Sequence, residues 1–274
     1  MSTFMLTLSY DGSSFHGFQR QKKKEIPTVQ GTLEEALCLV LQENIIVYGA
    51  GRTDAGVHAR AQVAHIQTDC SISADSLMYA LNRALPPSLV ICHSELVDDS
   101  FHARKCAVGK WYSYRLFNGS LPPALGHQYF ACVTQPLDEA LFRQSLNQMI
   151  GNHWFKGFCG HGSSVKSYDR TLYLAKPLVD VHRQWWEIHF VGDGFLRKMV
   201  RNMVGTAIDV ALHRKPLSCI DETIRSGDRR KAGKTAAPEG LTLEAVFYEQ
   251  NQLEGVIRDL NAMDSPSNKV VPVY

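Results

Sequence analysis

Twice along this chain a strand-like segment ends in an Asp-Gly corner and is followed by a long amphipathic helix. Phe4 to Tyr10 alternates with period two and leaves through Tyr10-Asp11-Gly12. After a polar loop ending at Pro27-Thr28, the residues Val29, Leu33, Ala36, Leu37, Val40 and Leu41 recur at helical spacing. Later, two strands flank His182-Arg183-Gln184 and lead to Gly192-Asp193-Gly194. The broadest apolar helix face of the chain follows, carrying Leu196, Met199, Val200, Met203, Val204, Ala207, Ile208, Ala211 and Leu212. Strands of period 2.0 beside helices of period 3.6 constrain the chain to an α+β fold, with helices packed on one face of a sheet. The repeated grammar suggests duplication.

The intervening segments fill in both halves. Ser73 is a candidate N-cap for a helix presenting Leu77, Ala80, Leu81 and Ala84, which stops at Pro86-Pro87 before a strand near Leu89 to Val97. Lys110 to Phe117 reads as a strand. Leu141, Phe142, Leu146, Met149 and Ile150 form a helix after Pro136, which Gly151 ends. We therefore expect an N-terminal half over 1–108, a second half over 109–248 and a short helix with a tail over 249–274.

With 274 residues, 45% hydrophobic and 20% charged, the chain can bury a sizeable core. It holds no uninterrupted apolar run long enough for a membrane span, and Phe4 enters a strand with no room for a leader, so a cytoplasmic protein without membrane contact is expected. Seven scattered cysteines without a C-x-x-C pair argue against disulfides and structural zinc, and no metal is expected. The net charge is only +2, but Gly194 to Thr235 carries ten Lys or Arg against four Asp or Glu, and Arg20, Lys22, Lys23 and Lys24 form a second basic knot. Such clusters read as solvated faces or as phosphate contacts.

Chemistry points to Gly49-Ala50-Gly51-Arg52-Thr53-Asp54-Ala55-Gly56-Val57-His58, a glycine-punctuated loop between the strands Asn44–Tyr48 and Ala61–Thr68. Gly49 and Gly51 open a G-x-G-x-x-G pattern whose third glycine is replaced by Asp54, and a carboxylate there repels a pyrophosphate, so a nucleotide-binding enzyme is disfavoured. The loop is then either an ordinary turn with Arg52 as a solvated charge, or a tight, exposed corner that presents Asp54 for reaction.

The run Ala50 to His58 resembles the signature loop of the TruA family of tRNA pseudouridine synthases, whose catalytic aspartate falls at Asp54. Further motifs follow in the family's order: Tyr10-Asp11-Gly12, Gly17-Phe18-Gln19-Arg20-Gln21, Phe101-His102-Ala103-Arg104, Lys110-Trp111-Tyr112-Ser113-Tyr114, Met199 to Gly205 and Ala237 to Leu241. The resemblance spans residues 4 to about 248. Phe18 stands where the family often has tryptophan, Arg197-Lys198 precedes Met199, and the segment from Cys159 to Asp169 is longer than usual.

The resemblance implies two ferredoxin-like halves joined through a central antiparallel sheet, with the active-site cleft between them. It also implies isomerisation of uridine to pseudouridine in the anticodon stem-loop of tRNA, around positions 38 to 40, by a homodimer. Such an isomerisation needs no redox or nucleotide cofactor. Asp54 would attack the anomeric carbon or take a proton from the neighbouring carbon, and Arg201 would hold it charged. On a helix, Arg201 lies about 100° from the centre of the apolar stripe with Arg197 one turn earlier, a position that equally suits an arginine snorkelling over the core. Tyr112, by residue type as much a core aromatic as a functional one, would stack on the flipped uracil or assist removal of its carbon-5 proton. Arg52 would hold the extruded nucleotide out of its helix, Arg20, Lys110, Arg170 and Arg197 would meet phosphates, and Leu241 would line the uracil pocket. A non-catalytic RNA-binding module of the same fold, or a synthase with another RNA substrate, is the alternative.

Overall fold

The computed structural model describes residues 1–21, 26–162 and 165–263. The chain opens with strand β1 (Ser2–Tyr10), helix α1 (Val29–Leu41), the short strand β2 (Tyr48–Gly49), β3 (His58–Thr68), α2 (Ala74–Ala84) and β4 (Leu89–Val97). It continues through β5 (Gly109–Asn118), β6 (Ala131–Val133), α3 (Glu139–Asn147), β7 (Gly151–Trp154), β8 (Asp169–Asp180) and β9 (Trp185–Gly192). Helices α4 (Met199–Ala211) and α5 (Cys219–Ser226), strand β10 (Leu241–Phe247) and helix α6 (Gln250–Ala262) complete an α+β protein. Among the described residues no helix is long and apolar enough to cross a membrane. Contacts divide the chain into one unit of Met1–Val108 with Thr242–Tyr248 and another of Gly109–Leu241 with α6.

In the first unit β1 pairs antiparallel with both β3 (Leu6↔Ala64) and β4 (Leu6↔Ser94), and β2 pairs with the other side of β3 (Tyr48↔His65). The βαββαβ succession with order β4-β1-β3-β2 is the ferredoxin-like arrangement. Phe4, Leu6 and Leu8 on alternate positions of β1 are fully buried, as are Leu33, Leu37, Leu77 and Leu81 from the two helices. Each such side chain contributes about 1.5–3 kcal/mol by leaving water. The helix starts are set by hydroxyls: Thr28 accepts from Gly31 N and Ser73 from Ser76 N, both at 3.2 Å. Helix α2 stops where Leu85 becomes extended ahead of Pro86.

Two details of this unit differ from the sequence reading. Of the expected Asn44–Tyr48 strand only Tyr48 pairs, together with Gly49 beyond it, because side chains of α1 take the backbone of Val47: its N–H donates to Glu34 Oε1 and its carbonyl accepts from Gln30 Nε2, each at 3.2 Å. Strand β10, counted with the second half from the sequence, runs parallel to β3 (Thr242↔His58, Leu243↔Ala59). Tyr248 just beyond it donates to Ala103 O at 2.8 Å.

The second unit is built on antiparallel strands in the order β5-β9-β8-β7, with β6 parallel to β5. Tyr112 lies opposite Phe190 and Tyr114 opposite Ile188, so these four share a face. Helices α3 and α4 pack together, burying Phe142, Leu146, Met203, Val204 and Ala207 completely. Helix α6 is tied down where Lys176 Nζ donates to Asn261 O at 2.8 Å.

Here helix boundaries move. Lys198 adopts φ 60°, so α4 begins at Met199 and leaves Leu196 and Arg197 outside it. Helix α3 ends at Asn147, Met149 is buried beyond it, and Gly151 with φ 115° opens β7 instead of ending the helix.

Candidate active site

Ala50 leaves β2 by donating to Val63 O at 2.7 Å, and the loop then turns sharply at Asp54. Val57 N donates to Asp54 O at 3.2 Å while Gly56 has φ 78°, the arrangement of a type II turn that favours glycine at this place. The corner is tight, as expected, but Asp54 is half-buried rather than exposed. On its N-terminal side Thr53 is fixed twice: its carbonyl accepts from Phe18 N at 3.1 Å, and its hydroxyl shares a 2.9 Å hydrogen bond with Tyr10 Oη. Burial pushes the Tyr10 phenol up to about 12, against opposing hydrogen bonds from Thr53 and Gln62, so it stays neutral.

The segment after β1 braces this corner at close range. A Cβ on Gly12 would stand 2.1 Å from Val57 O, so only glycine fits there. Gly12 N donates to Nδ1 of buried His58 at 3.0 Å, which requires that nitrogen to be unprotonated. Asp11 Oδ1, 3.3 Å from the same Nδ1, becomes an ion-pair partner only in the imidazolium form. Asp54 therefore projects from a loop whose backbone is fixed on both flanks. Arg52 is exposed on the same loop.

In the second unit Tyr112 is 7% exposed, and its ring meets Phe195 edge-on with centroids 5.1 Å apart. Phe195 was missed in the sequence; its signal was an aromatic directly after Gly192-Asp193-Gly194. Tyr114, fully buried on the same face, donates to Ala237 O at 2.9 Å. Burial raises its phenol pKa, opposed by the nearby Arg201 cation. Arg201 projects from the first turns of α4, where its Nε donates to Ala236 O at 2.8 Å and its own carbonyl accepts from Ala236 N at 3.0 Å. The structure thus gathers Tyr114, Arg201 and the Ala236-Ala237 segment, with Leu241 four residues on, 6% exposed at the start of β10.

The remaining expected RNA contacts are scattered. Arg20 holds the buried Glu34 carboxylate at 2.8 Å while its own side chain is 64% exposed. Lys110 is half-buried on β5, and Arg170 turns its guanidinium to the backbone carbonyls of Ser167 and Asp169. Arg197, outside α4, donates to His161 O at 2.8 Å. Much of the basic window is internally engaged: Arg230 pairs with Asp228 at 2.7 Å, Arg214 with Asp209 at 3.7 Å and Lys231 with Glu222 at 3.6 Å. Lys22, Lys23 and Lys24 lie outside the described residues.

Sequence reading also missed a polar stripe on α4. Asn202, Thr206 and Asp209 are buried one turn apart on a helix otherwise apolar on that side, and they bind the segment 229–235. Polar residues recurring at helical spacing inside an apolar pattern were the available signal.

A model of the tRNA pseudouridine synthase family matches residues 7–104 and 146–249. The chain is 39% identical over 252 residues to tRNA pseudouridine synthase A 2 of Clostridium perfringens, covering 90% of this chain and 100% of that relative. It is 40% identical over 250 residues to tRNA pseudouridine synthase A of Acetivibrio thermocellus, again covering 90% and 100%. To the protein of that name from Streptococcus pneumoniae it is 37% identical over 251 residues, covering 91% and 100%. With the family model matching most of its length and these relatives matched from end to end, the chain belongs to the tRNA pseudouridine synthase family.

Proposed function

We propose that this tRNA pseudouridine synthase acts on uridines of the anticodon stem-loop, around positions 38 to 40, with Asp54 as its reacting carboxylate. The reaction breaks the bond from ribose C1′ to uracil N1, turns the base, and joins C1′ to C5. The proton lost from C5 is matched by one gained at N1, so atoms balance without a cofactor. Asp54 either attacks C1′ or removes the C2′ proton. Arg201 is the cation that balances negative charge on the reacting groups. Tyr112 stacks on the extruded uracil and assists loss of the C5 proton, and Leu241 lines the uracil pocket.

Extruding a base from paired RNA costs a few kcal/mol, and Arg52 offsets it by holding the turned-out strand. Arg20, Lys110, Arg170 and Arg197 contact phosphates; Arg20, mostly exposed while it holds Glu34, can share its guanidinium with one. The enzyme works in the cytoplasm as a homodimer, which sedimentation equilibrium would reveal as twice the chain mass.

The observation that carries this reading is the braced Asp54 corner with the family's loop sequence around it. Its test is incubation of the wild type and Asp54→Asn with unmodified tRNA, mapping pseudouridine along the whole molecule. Wild type should modify positions 38 to 40, and the variant should bind tRNA yet react at least about a thousandfold more slowly. Modification elsewhere would redirect the substrate assignment. No modification by either protein, with tRNA still bound, would make it an RNA-binding module.

A further inference from the structure

We propose that Asn202, acting with Thr235, is a positioning residue that aims the Arg201 guanidinium. This rests on the proposed catalytic role of Arg201.

Asn202 has no exposed surface, and a primary amide in such a place is tolerated only when its hydrogen-bonding capacity is used. Its Nδ2 donates to Phe158 O at 2.7 Å. Its Oδ1 accepts from Thr235 Oγ1 at 2.7 Å and from Arg229 Nη2 at 2.9 Å, which fills both lone pairs. The amide thus fastens residues 229 and 235 to α4 at one point. Two more fasteners follow along the stripe: Gly233 N donates to Thr206 Oγ1 at 2.9 Å, and Lys234 N to Asp209 Oδ2 at 3.0 Å. A Cβ on Gly205 would lie 1.7 Å from Lys234 O, so helix and segment touch backbone to backbone.

The segment carries the group that orients Arg201. Ala236 directly follows Thr235, and its carbonyl takes Arg201 Nε. An arginine side chain has rotamer entropy to lose, and a bond at Nε leaves the two terminal nitrogens pointing one way. If Thr235 slips from Asn202, the Ala236 peptide keeps its N–H bond to Arg201 O and the Tyr114 bond to the next carbonyl but loses its anchor on the preceding residue, and a displacement of about 1 Å at a catalytic group can cost up to about a hundredfold in rate. The fasteners at Thr206 and Asp209 hold the segment down even when Thr235 lets go, so aim can be lost while the fold survives.

Asn202→Ala strips three bonds from a buried site and confounds aim with unfolding, so the decisive variant is Thr235→Val, at an exposed position. We expect Thr235→Val to lower kcat on tRNA about tenfold, with KM within about twofold and the melting temperature almost unmoved; Thr235→Ser, which keeps the hydroxyl, should restore kcat. In an Arg201→Lys background, which lacks Nε as a donor, Thr235→Val should cost less than about twofold more. Unchanged kcat in Thr235→Val, no rescue by serine, or losses that multiply across the two sites would overturn the inference. Wild-type turnover by Arg201→Ala would instead overturn the catalytic reading of Arg201, and this inference with it.

Discussion

Around Asp54 the fixing is done mainly by main chain: Val57 N to Asp54 O, Phe18 N to Thr53 O, and the close passage of Gly12 against Val57, with Tyr10 and His58 adding side-chain bonds. Around Arg201 it is done by side chains, with Asn202, Thr206 and Asp209 fastening a segment whose carbonyl holds Nε. A short loop with three glycines can satisfy itself through backbone bonds, and its geometry then depends on the absence of Cβ atoms. A helix has spent most of its backbone bonds internally and grips a neighbouring segment mainly with polar side chains, here joined by the Arg201 carbonyl that accepts from Ala236 N. The Asp54 corner should therefore tolerate loss of hydroxyls and reject added methyls, whereas the Arg201 region should be sensitive to both.

The largest expected effects come from methyls. Gly12→Ala drives a Cβ into Val57 O, and Gly205→Ala drives one into Lys234 O. Alanine normally stabilises a helix interior by about 1 kcal/mol over glycine, so destabilisation at Gly205 would reverse the usual sign. We expect each variant to lose more than about 3 kcal/mol in urea unfolding. A stable, active Gly12→Ala would break the main-chain half of the comparison.

Acid should expose the cost of side-chain polarity in the second unit. Burial, helped by the nearby Arg115 and Lys176 cations, pulls His189 down from 6.5 to about 4, and its Nδ1 accepts from Trp111 Nε1 at 3.2 Å. The unfolded chain binds this proton from about pH 6.5 downward and the folded chain does not, so stability is intact above pH 6.5 and falls as pH drops towards 4. The loss should reach about 2–3 kcal/mol, read by unfolding wild type and His189→Gln between pH 7 and 4. A wild-type slope equal to the variant's would refute the assignment.

The smallest effect sharpens the comparison most. Thr53→Val removes the hydroxyl bond to Tyr10 but leaves the carbonyl bond from Phe18, so it should cost about 1 kcal/mol of stability and change kcat by less than about threefold. Set against the tenfold expected for Thr235→Val, equal losses in single-turnover assays would erase the distinction.

The same contrast explains what was legible in the sequence. Apolar periodicity located α1 and α2, and Ser73 and Pro86 marked the ends of α2, because these signals are local. The Asp54 corner was legible because glycines announce backbone geometry. Phe195 beside Tyr112, the Asn202 fastener and the shortened strand before Tyr48 depend on partners far along the chain, which periodicity does not encode. The late start of α4 has a different origin, the left-handed Lys198, a conformation that lysine does not advertise.

One of those long-range pairings reaches beyond the site. Gln30 and Glu34, one turn apart on α1, offer the N–H of Val47 an acceptor and its carbonyl a donor, as a neighbouring strand would. The N–H and carbonyl of buried Val47, which would otherwise be open to a foreign strand, are thereby occupied from within. Replacing that pair would leave both groups of Val47 open to another chain, a seam that self-association on storage would report.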